Sequence, residues 1–243
     1  MTTRERAHRL LVARGLFESR ARARAAIAAG RVSADGIVVR KPSEEISTDA
    51  AIAAEPEHPY VSRGGVKLAA ALDAFAFDVT GRVCLDAGAS TGGFTEVLLE
   101  RGARRVYAVD VGSAQLHARL RGRTDVVSVE QTDIRKVDPS RLTEQPDFAS
   151  VDVSFISLKL VMPAIGRLLA PHAQLVALIK PQFEATRSHI KKGIVRDEAV
   201  HKVVCEDIGA CIVSLRWRVG GLVPSPIRGG DGNREFFIGA ERG

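Results

Sequence analysis

From Tyr60 onward the chain alternates short apolar runs with amphipathic segments, and this alternation limits the fold more than any other feature of the sequence. The apolar runs have the length and the β-branched content of strands that are buried on both faces of a sheet. The segments between them are long enough for the crossover helices that parallel strands require. The pattern therefore predicts an α/β domain with a doubly wound parallel sheet.

Five apolar runs are predicted to be parallel strands and four segments to be helices, followed by two closing strands joined by a glycine-rich loop. The predicted strands are "RVCLDAG", "RVYAVDVG", "VVSVEQTDI", "FASVDVSFI" and "AQLVALIKP", the helices are "GGVKLAAALDAF", "GFTEVLLERG", "LVMPAIGRLLA" and "DEAVHKVVCEDIGACIVSL", and the closing strands are "WRVGGLVPSPI" and "NREFFIGAER". Ligands of open α/β sheets bind at the carboxyl ends of the strands, so polar residues there are candidate site residues.

Residues 1–57 have a different, short-range and arginine-rich character, which predicts a small α+β domain. Helices are predicted in "ERAHRLLVARG" and "SRARARAAIAAG", each closed by a glycine. Asp35 and Gly36 are predicted to form a tight hairpin turn between two short strands. We expect a linker at 58–61, where the proline-containing stretch "AAEPEHPY" ends, and a second domain over 62–243.

Between Arg4 and Lys41, ten basic residues stand against three acidic ones, although the whole chain has a formal net charge of +6. Such a local excess favours a polyanionic partner. Two arginines of the second predicted helix are four positions apart and therefore share a face, which is either a phosphate-binding surface or simply solvated. We expect RNA contacts from Arg4, Arg6, Arg20, Arg24, Arg31 and, in the second domain, Arg63.

The stretch "CLDAGASTGGFTEVLLE" reads as strand, glycine-rich turn and helix, which is how α/β proteins hold a nucleotide-like cofactor. The turn lacks the G-x-G-x-x-G spacing that suits a pyrophosphate, and there is no G-K-[ST] phosphate loop. Asp86, directly before the turn, would repel a pyrophosphate but suits the ammonium group of S-adenosylmethionine. This cofactor is therefore predicted in preference to NAD.

Asp110 ends the next predicted strand, 24 positions after Asp86. A carboxylate at this place can accept hydrogen bonds from both ribose hydroxyls of an adenosine. The alternative is that Asp110 caps a helix in the segment that follows. The predicted cofactor-binding residues of the strand, the turn and the next strand are Asp86, Gly88, Ser90, Thr91, Gly92, Gly93 and Asp110.

Two charged residues, Asp152 and Lys180, follow neighbouring predicted strands, so both are expected to face one crevice beside the cofactor turn. Pro181 stops the second of these strands directly after the lysine. Lys67, on the helix before the first strand, and Glu235, at the start of the last strand, fit the same site. Any one of these charges alone is more typical of a protein surface. Their common location makes the four candidate catalytic residues.

Two resemblances to known families add to this interpretation. The segment "GLFESRARARAAIAAGRVSADGIVVRKPS" resembles the S-four-type RNA-binding module, which is named after a ribosomal protein. The whole chain resembles the TlyA family through "SRGGVKL", "CLDAGASTGGFTEVLLERGA", "VDVSFISL", "IKPQFE" and "GNREFF". Members of that family join the module to an FtsJ-like domain with a Rossmann-like class I methyltransferase fold. They carry the names haemolysin A and ribosomal RNA 2′-O-methyltransferase.

The resemblance implies an enzyme that methylates a ribose 2′-hydroxyl, with ribosomal RNA or a ribosomal subunit as its partner. The four charged residues Lys67, Asp152, Lys180 and Glu235 match the lysine, aspartate, lysine, glutamate tetrad of this reaction. Asp133, in "EQTDIRK", matches a position that contacts the adenine edge of the cofactor. A cytidine of large-subunit RNA is the implied target, as in the shorter form of the family without long terminal extensions.

A ribose hydroxyl is a poor nucleophile, and we expect Lys180 to accept or hold its proton while the site positions the reacting atoms in line. Other methylations fit less well. Methylation of a base amine would show an asparagine or aspartate, two prolines and an aromatic residue where this chain has "DVSF". Methylation of a pyrimidine carbon needs a nucleophilic cysteine, whereas Cys84, Cys205 and Cys211 lie inside a predicted strand and a predicted helix.

Two non-enzymatic functions stay open as alternatives, a membrane-lytic haemolysin and an RNA-binding assembly factor without catalysis. No apolar run approaches the roughly 18 residues of a membrane span. Three cysteines without a metal-binding spacing are typical of reduced thiols. We therefore expect a cytoplasmic protein that binds neither a membrane nor a metal.

Overall fold

The computed structural model describes residues 3–243, which divide into two compact units with the boundary between Pro59 and Tyr60. The first unit is α+β and consists of β1 (Arg4–Arg6), α1 (Ala7–Ala13), α2 (Arg20–Ala28), β2 (Val32–Ala34), β3 (Ile37–Val38), β4 (Glu45–Ser47) and β5 (Ile52–Ala54). Strands β3, β2 and β5 form one antiparallel sheet, and β1 pairs with β4. Aliphatic side chains of both helices and of β2 form its core.

The hairpin of this unit has the predicted turn, because Asp35 and Gly36 both have positive φ, 49° and 79°, as a type I′ turn requires. The first helix was predicted from Glu5, and this boundary is wrong. Residues Arg4–Arg6 are extended and pair with Glu45–Ser47. A strand partner some forty residues away satisfies these backbone groups, and the local helical pattern contains no sign of it.

The second unit is α/β and contains a seven-stranded sheet. Its elements are α3 (Arg63–Phe75), β6 (Val83–Ala87), α4 (Gly93–Glu100), β7 (Arg105–Val109), β8 (Val126–Val129), β9 (Phe148–Val151), α5 (Leu158–Leu168), β10 (Ala173–Ile179), α6 (Pro181–Glu184), α7 (Glu198–Ser214), β11 (Arg218–Pro224) and β12 (Phe236–Arg242). The strand order is β11-β12-β10-β9-β6-β7-β8. Five strands, from β8 to β10, are parallel, which confirms the predicted α/β fold.

The parallel strands are buried on both faces, as their apolar composition predicts. All five side chains of β6 are at most 6% exposed, and the last five of β10 are at most 1% exposed. Two apolar clusters cover the two faces of the sheet. Side chains within such strands pack in the core, so the residues that a ligand can reach lie at the ends of the strands.

The register of the parallel strands brings two predicted site residues together. Val151 of β9 pairs with Ala87 of β6. Asp152 follows Val151, and Gly88 follows Ala87. The backbone N–H of Asp152 donates to the carbonyl oxygen of Ala87 at 2.9 Å. The carboxyl ends of β9 and β6 are therefore in direct contact.

The direction of the last strand explains how Glu235, near the end of the chain, comes to lie beside the carboxyl ends of the parallel strands. Strand β12 runs antiparallel between β10 and β11, with Phe236 opposite Ile179. Glu235 precedes its strand and Lys180 follows its own, so the reversed direction of β12 places both at the same end of the sheet.

Candidate active site

Two ion pairs lie at the end of the sheet where the parallel strands have their carboxyl ends. Lys67 Nζ is 2.5 Å from Glu235 Oε2, and Lys180 Nζ is 2.6 Å from Asp152 Oδ1. The Lys67 and Glu235 side chains are only 11% and 3% exposed. Charges so far from water are costly unless they are paired, and the pairing leaves the group neutral as a whole. The structure thus brings together the four side chains that the sequence predicts as catalytic.

Two cavities open beside these pairs and share Gly88, Ser90 and Asp152 among their lining residues. The larger, of about 980 Å³, is also lined by Asp110, Asp133, Ser154, Phe155, Phe183 and Arg187. The smaller, of about 550 Å³, is also lined by Arg63, Lys67, Thr91, Gly93, Arg228 and Gly230. Because Asp152 lines both, the two cavities meet at the ion pairs. One cavity can hold a cofactor while the other holds the acceptor.

The turn after β6 contains three predicted cofactor-binding glycines with different roles. Gly88 has φ +87°, and a Cβ there would lie 2.8 Å from the carbonyl carbon of Asp152 and closer still to its oxygen. Gly93 lines the smaller cavity and packs against Ser62. Gly92 lines neither cavity, and a Cβ there would clash with Leu120. Packing therefore explains Gly92, and the close approach of the neighbouring strand requires glycine at position 88.

The carboxylate of Asp110 is held by two backbone N–H groups. Ser90 N donates to Oδ2 at 2.9 Å, and Gly112 N donates to Oδ1 at 2.7 Å. A carboxylate can accept about four hydrogen bonds, so both oxygens keep capacity for a ligand in the larger cavity. The structure has no helix in the segment directly after Asp110, so the helix-capping alternative is wrong. Binding of a ribose by Asp110 stays a prediction.

Asp133 also lines the larger cavity. Its carboxylate forms an ion pair with Arg135 at 2.5 Å, and the hydrogen bond from this guanidinium lowers the pKa of Asp133. The residue caps a short 3₁₀ turn over Ile134–Lys136. Asp133 is therefore a fixed acceptor on the cavity wall, and its contact with an adenine stays a prediction.

Asp86 differs from the other predicted cofactor-binding residues because it is fully buried and lines neither cavity. Thr95 Oγ1 donates to its Oδ2 at 2.6 Å, and Ser150 Oγ donates to its Oδ1 at 3.1 Å. Burial raises the pKa of Asp86 to about 7. The structure gives this carboxyl two hydroxyl partners beneath the turn, and its contact with a cofactor ammonium stays a prediction.

The raised pKa of Asp86 predicts a pH-dependent stability. Between the ordinary carboxyl pKa of about 4 and pH 7, the folded state holds a proton that the unfolded state has lost. The free energy of unfolding therefore falls as the pH rises through this window. From pH 5 to pH 8 we expect the parent to lose on the order of 2 kcal/mol more than Asp86→Asn. Thermal melts of both proteins measure this difference, and parallel pH profiles would contradict it.

The arginines predicted to contact RNA are exposed. Arg20 and Arg24 lie on α2, Arg6 ends β1, and Arg4 donates to the carbonyl oxygen of Glu45 at 2.5 Å. Arg31 forms an ion pair with Glu55 at 3.5 Å, which the sequence did not indicate. Arg63 belongs to the second unit, where it lines the smaller cavity. Their contact with RNA stays a prediction.

Sequence reasoning missed three residues of this site, Ser154, Phe155 and Arg228. Lys180 Nζ donates to Ser154 Oγ at 2.8 Å. Phe155 is 91% exposed with φ +63°, and its ring centroid is 5.0 Å from that of Phe183. Apolar residues next to a strand are usually read as core, so only the structure reveals that this ring faces a cavity. Arg228 lies in a glycine-rich loop whose path has no sequence signal.

None of the three cysteines is placed to act as a nucleophile. Burial raises the pKa of Cys84 far above its ordinary value and the pKa of Cys205 to about 11. Burial also raises the pKa of Cys211, and none of the three lines either cavity beside the ion pairs. A thiol attacks as its thiolate, so the structure disfavours methylation of a pyrimidine carbon.

Comparison with known proteins places these features in a family. Residues 60–242 match the FtsJ-like methyltransferase family and residues 5–52 match the S4 domain. The chain is 42% identical over 241 residues to the "16S/23S rRNA (cytidine-2'-O)-methyltransferase TlyA" of Mycobacterium tuberculosis, across 98% of this chain and 90% of the relative. The chain belongs to the TlyA family.

Two further relatives agree with this assignment. The "Putative rRNA methyltransferase YqxC" of Bacillus subtilis is 45% identical over 238 residues, across 97% of this chain and 85% of the relative. A solved structure, "Putative hemolysin from Streptococcus thermophilus", superimposes with a TM-score of 0.78 at 45% identity, across 100% of this chain and 90% of that one. The predicted resemblance, the methyltransferase fold and the two domain types of this TlyA protein are confirmed, and it is a methyltransferase. None of its described helices has the length and apolar character needed to cross a bilayer.

Proposed function

We propose that this TlyA protein transfers a methyl group from S-adenosylmethionine to the 2′-hydroxyl of a cytidine ribose in large-subunit ribosomal RNA. The observation that carries the proposal is the pair of lysine–carboxylate contacts, Lys67–Glu235 and Lys180–Asp152, where two cavities meet. Ribose methylation needs a proton acceptor and exact alignment rather than a nucleophilic side chain. The names of the M. tuberculosis and Campylobacter jejuni relatives supply the acceptor, a cytidine 2′-oxygen of ribosomal RNA.

The larger cavity is the proposed cofactor site. Asp110 would hold the ribose hydroxyls of S-adenosylmethionine, Asp133 would face its adenine, and the backbone at Gly88 and Ser90 would line its methionine end. The oriented carboxylate of Asp110 and the missing Cβ at Gly88 fit such a ligand. When bound, this cofactor supplies an electrophilic methyl group.

The residues of the chain then handle the proton and the alignment. Lys180 would accept the proton of the ribose hydroxyl as that oxygen attacks the methyl group. Asp152 and the Ser154 hydroxyl, 2.6 and 2.8 Å from Lys180 Nζ, fix the direction in which this nitrogen points. The buried Lys67–Glu235 pair would hold the acceptor ribose from the smaller cavity. The free energy of binding the RNA would thereby align the ribose oxygen with the methyl group.

Mapping the methyl group tests the proposal directly. Ribosomal subunits from cells without this enzyme are incubated with the protein and radiolabelled S-adenosylmethionine, and the RNA is hydrolysed in alkali. A 2′-O-methyl group protects the following phosphodiester, so the label is expected in one alkali-resistant dinucleotide that contains cytidine. Label on a base, or in fully hydrolysed nucleotides, would contradict the proposal. Protein with Lys180→Ala is the control.

The alternative of membrane lysis is supported only by the hemolysin names of some relatives, among them the Streptococcus thermophilus protein. Dye-loaded liposomes separate the two functions, because lysis requires no cofactor. We expect no leakage at concentrations of protein that methylate RNA. Leakage in the absence of S-adenosylmethionine would favour the lytic function.

A third test concerns the S4 domain. Replacing Arg20, Arg24 and Arg31 by alanine is expected to weaken RNA binding and to flatten its salt dependence by about one unit of slope for each phosphate that the protein no longer neutralises. Arg31 already has Glu55 as a partner, so we expect a smaller effect from it than from the other two. Filter binding over a range of salt concentrations measures the slope.

The matched control removes three exposed arginines of the second unit that precede strands β7, β9 and β11, namely Arg104, Arg141 and Arg216. The total charge falls by the same amount, but the slope is expected to stay at the parental value. Equal slopes in the two triple variants would show that Arg20, Arg24 and Arg31 contribute net charge only.

A further inference from the structure

The smaller cavity beside the ion pairs carries two guanidinium groups, of Arg63 and Arg228, that are bonded only to backbone oxygens. Arg63 Nη2 donates to the carbonyl oxygen of Arg228 at 2.9 Å, and Arg228 Nη1 donates to the carbonyl oxygen of Gly232 at 3.1 Å. Across residues 3–243, neither group has a carboxylate within 4.0 Å of its nitrogens. Both side chains are exposed, and no carboxylate neutralises either of them.

The other charges around this cavity cancel. Lys67 is neutralised by Glu235, and Lys180 by Asp152. The two arginines therefore determine the net charge that a ligand meets. Helices α3 and α4 both begin at this cavity, since Gly64 and Gly93 line it, and their amino ends add to the positive potential. A cavity with this charge attracts an anion.

Each of the two arginines lies close in the chain to one residue of the Lys67–Glu235 pair. Arg63 and Lys67 are four positions apart on α3 and therefore share a face of that helix. Arg228 lies in the loop that leads to Glu235, and the next residue packs on the carboxylate, because a Cβ on Gly229 would lie 2.5 Å from Glu235 Oε1. An anion held by both guanidiniums would thus be fixed in position relative to the Lys67–Glu235 pair.

We infer that Arg63 and Arg228 bind the 3′-phosphate of the nucleotide whose ribose is methylated, an inference that rests on the proposed function. The 2′-hydroxyl and the 3′-phosphate are on neighbouring carbons of one ribose ring, so a clamp on the phosphate positions the hydroxyl. Guanidinium groups present several donors in a plane, which match the non-bridging oxygens of a phosphodiester. Contacts of this kind set the register of the RNA without reading its bases.

The test compares Arg228→Gln with a matched control, Arg216→Gln, which removes an exposed arginine that precedes β11 at the other end of the sheet. For Arg228→Gln we expect the salt slope of RNA binding to fall by about one unit and the single-turnover rate to fall about tenfold. Binding of S-adenosylhomocysteine and the thermal midpoint are expected to be unchanged, which separates the effect from misfolding. Arg216→Gln is expected to behave as the parent in every assay.

A second arm identifies the phosphate. The substrate is a two-piece RNA whose target strand is interrupted directly after the methylated nucleotide and ends in either a 3′-phosphate or a 3′-hydroxyl. Loss of the phosphate is expected to slow the parent about tenfold but to slow Arg228→Gln clearly less, because one of the two partners of the phosphate is already missing. Equal losses in both proteins, or a parental rate and slope in Arg228→Gln, would overturn the inference. Absence of ribose methylation by the parent would instead refute the proposed function.

Discussion

Lys180→Arg is expected to lose methyl transfer even though it keeps a positive charge beside Asp152. A guanidinium stays protonated at any pH that the protein tolerates, so it cannot accept the proton of a ribose hydroxyl. General-base catalysis contributes about 10²- to 10⁴-fold, and we expect the single-turnover rate to fall by this factor. A general base acts only in its deprotonated form, so the parental rate is also expected to rise with pH.

The measurement is single-turnover methyl transfer at saturating RNA and cofactor between pH 6 and pH 9. Binding of RNA and of S-adenosylhomocysteine is expected to survive, because the interaction that the variant lacks acts in the transition state. Lys159→Arg is the matched control, since this lysine also forms a carboxylate pair, with Asp207 at 3.0 Å, but on the surface. Near-parental activity of Lys180→Arg with an unchanged pH profile would leave Lys180 as a positioning charge only.

Gly88→Ala is expected to abolish cofactor binding and to destabilise the second unit. An added Cβ would overlap the carbonyl oxygen of Asp152, so β9 and β6 would have to separate where their carboxyl ends meet. The left-handed backbone at φ +87° would add about 1 to 2 kcal/mol for any side chain. Displacement of Asp152 would also break its contact with Lys180. Calorimetric titration with S-adenosylhomocysteine and thermal melts measure the two effects.

A second glycine separates the clash from the backbone conformation. Gly122 has φ +81°, and an added Cβ there would meet nothing within 4 Å. We expect Gly122→Ala to lower the thermal midpoint by the conformational cost alone and to bind cofactor as the parent does. If Gly88→Ala and Gly122→Ala behave alike, close approach of the strands is not what requires glycine at the turn.

The repeating parts of the fold could be predicted from sequence because each has a local physical cause. Strand β10 is apolar throughout and is stopped by Pro181, which places Lys180 at its end without any knowledge of the other strands. Strands β1, β4 and β5 are three residues each, too short for a period to show. Their pairing depends on partners far along the chain, and the start of α1 was misplaced for the same reason.

The four charged residues could be predicted as a set, but their pairing could not. Nothing in the sequence indicates that Lys67 contacts Glu235, because this contact depends on the direction of β12. Asp152 and Lys180 could be expected to face one crevice, but their ion pair is seen only in the structure. Gly92 and Asp86 were predicted from the turn motif to bind the cofactor, but the structure shows other contacts for both. Gly92 packs closely against Leu120, and Asp86 accepts hydrogen bonds from two buried hydroxyls. A motif predicts where a residue lies along the chain, whereas its contacts depend on elements that the motif does not include.

The position of β12 has a consequence for biosynthesis. This strand pairs with β10 on one side and β11 on the other, yet it is translated after both. The amino-terminal part of the chain leaves the ribosome first, so the S4 domain can fold during translation. The sheet meanwhile lacks an internal strand, and Lys67 lacks its carboxylate partner. A chain in which β12 has not yet been translated therefore has the S4 domain but lacks the Lys67–Glu235 pair that we propose for catalysis.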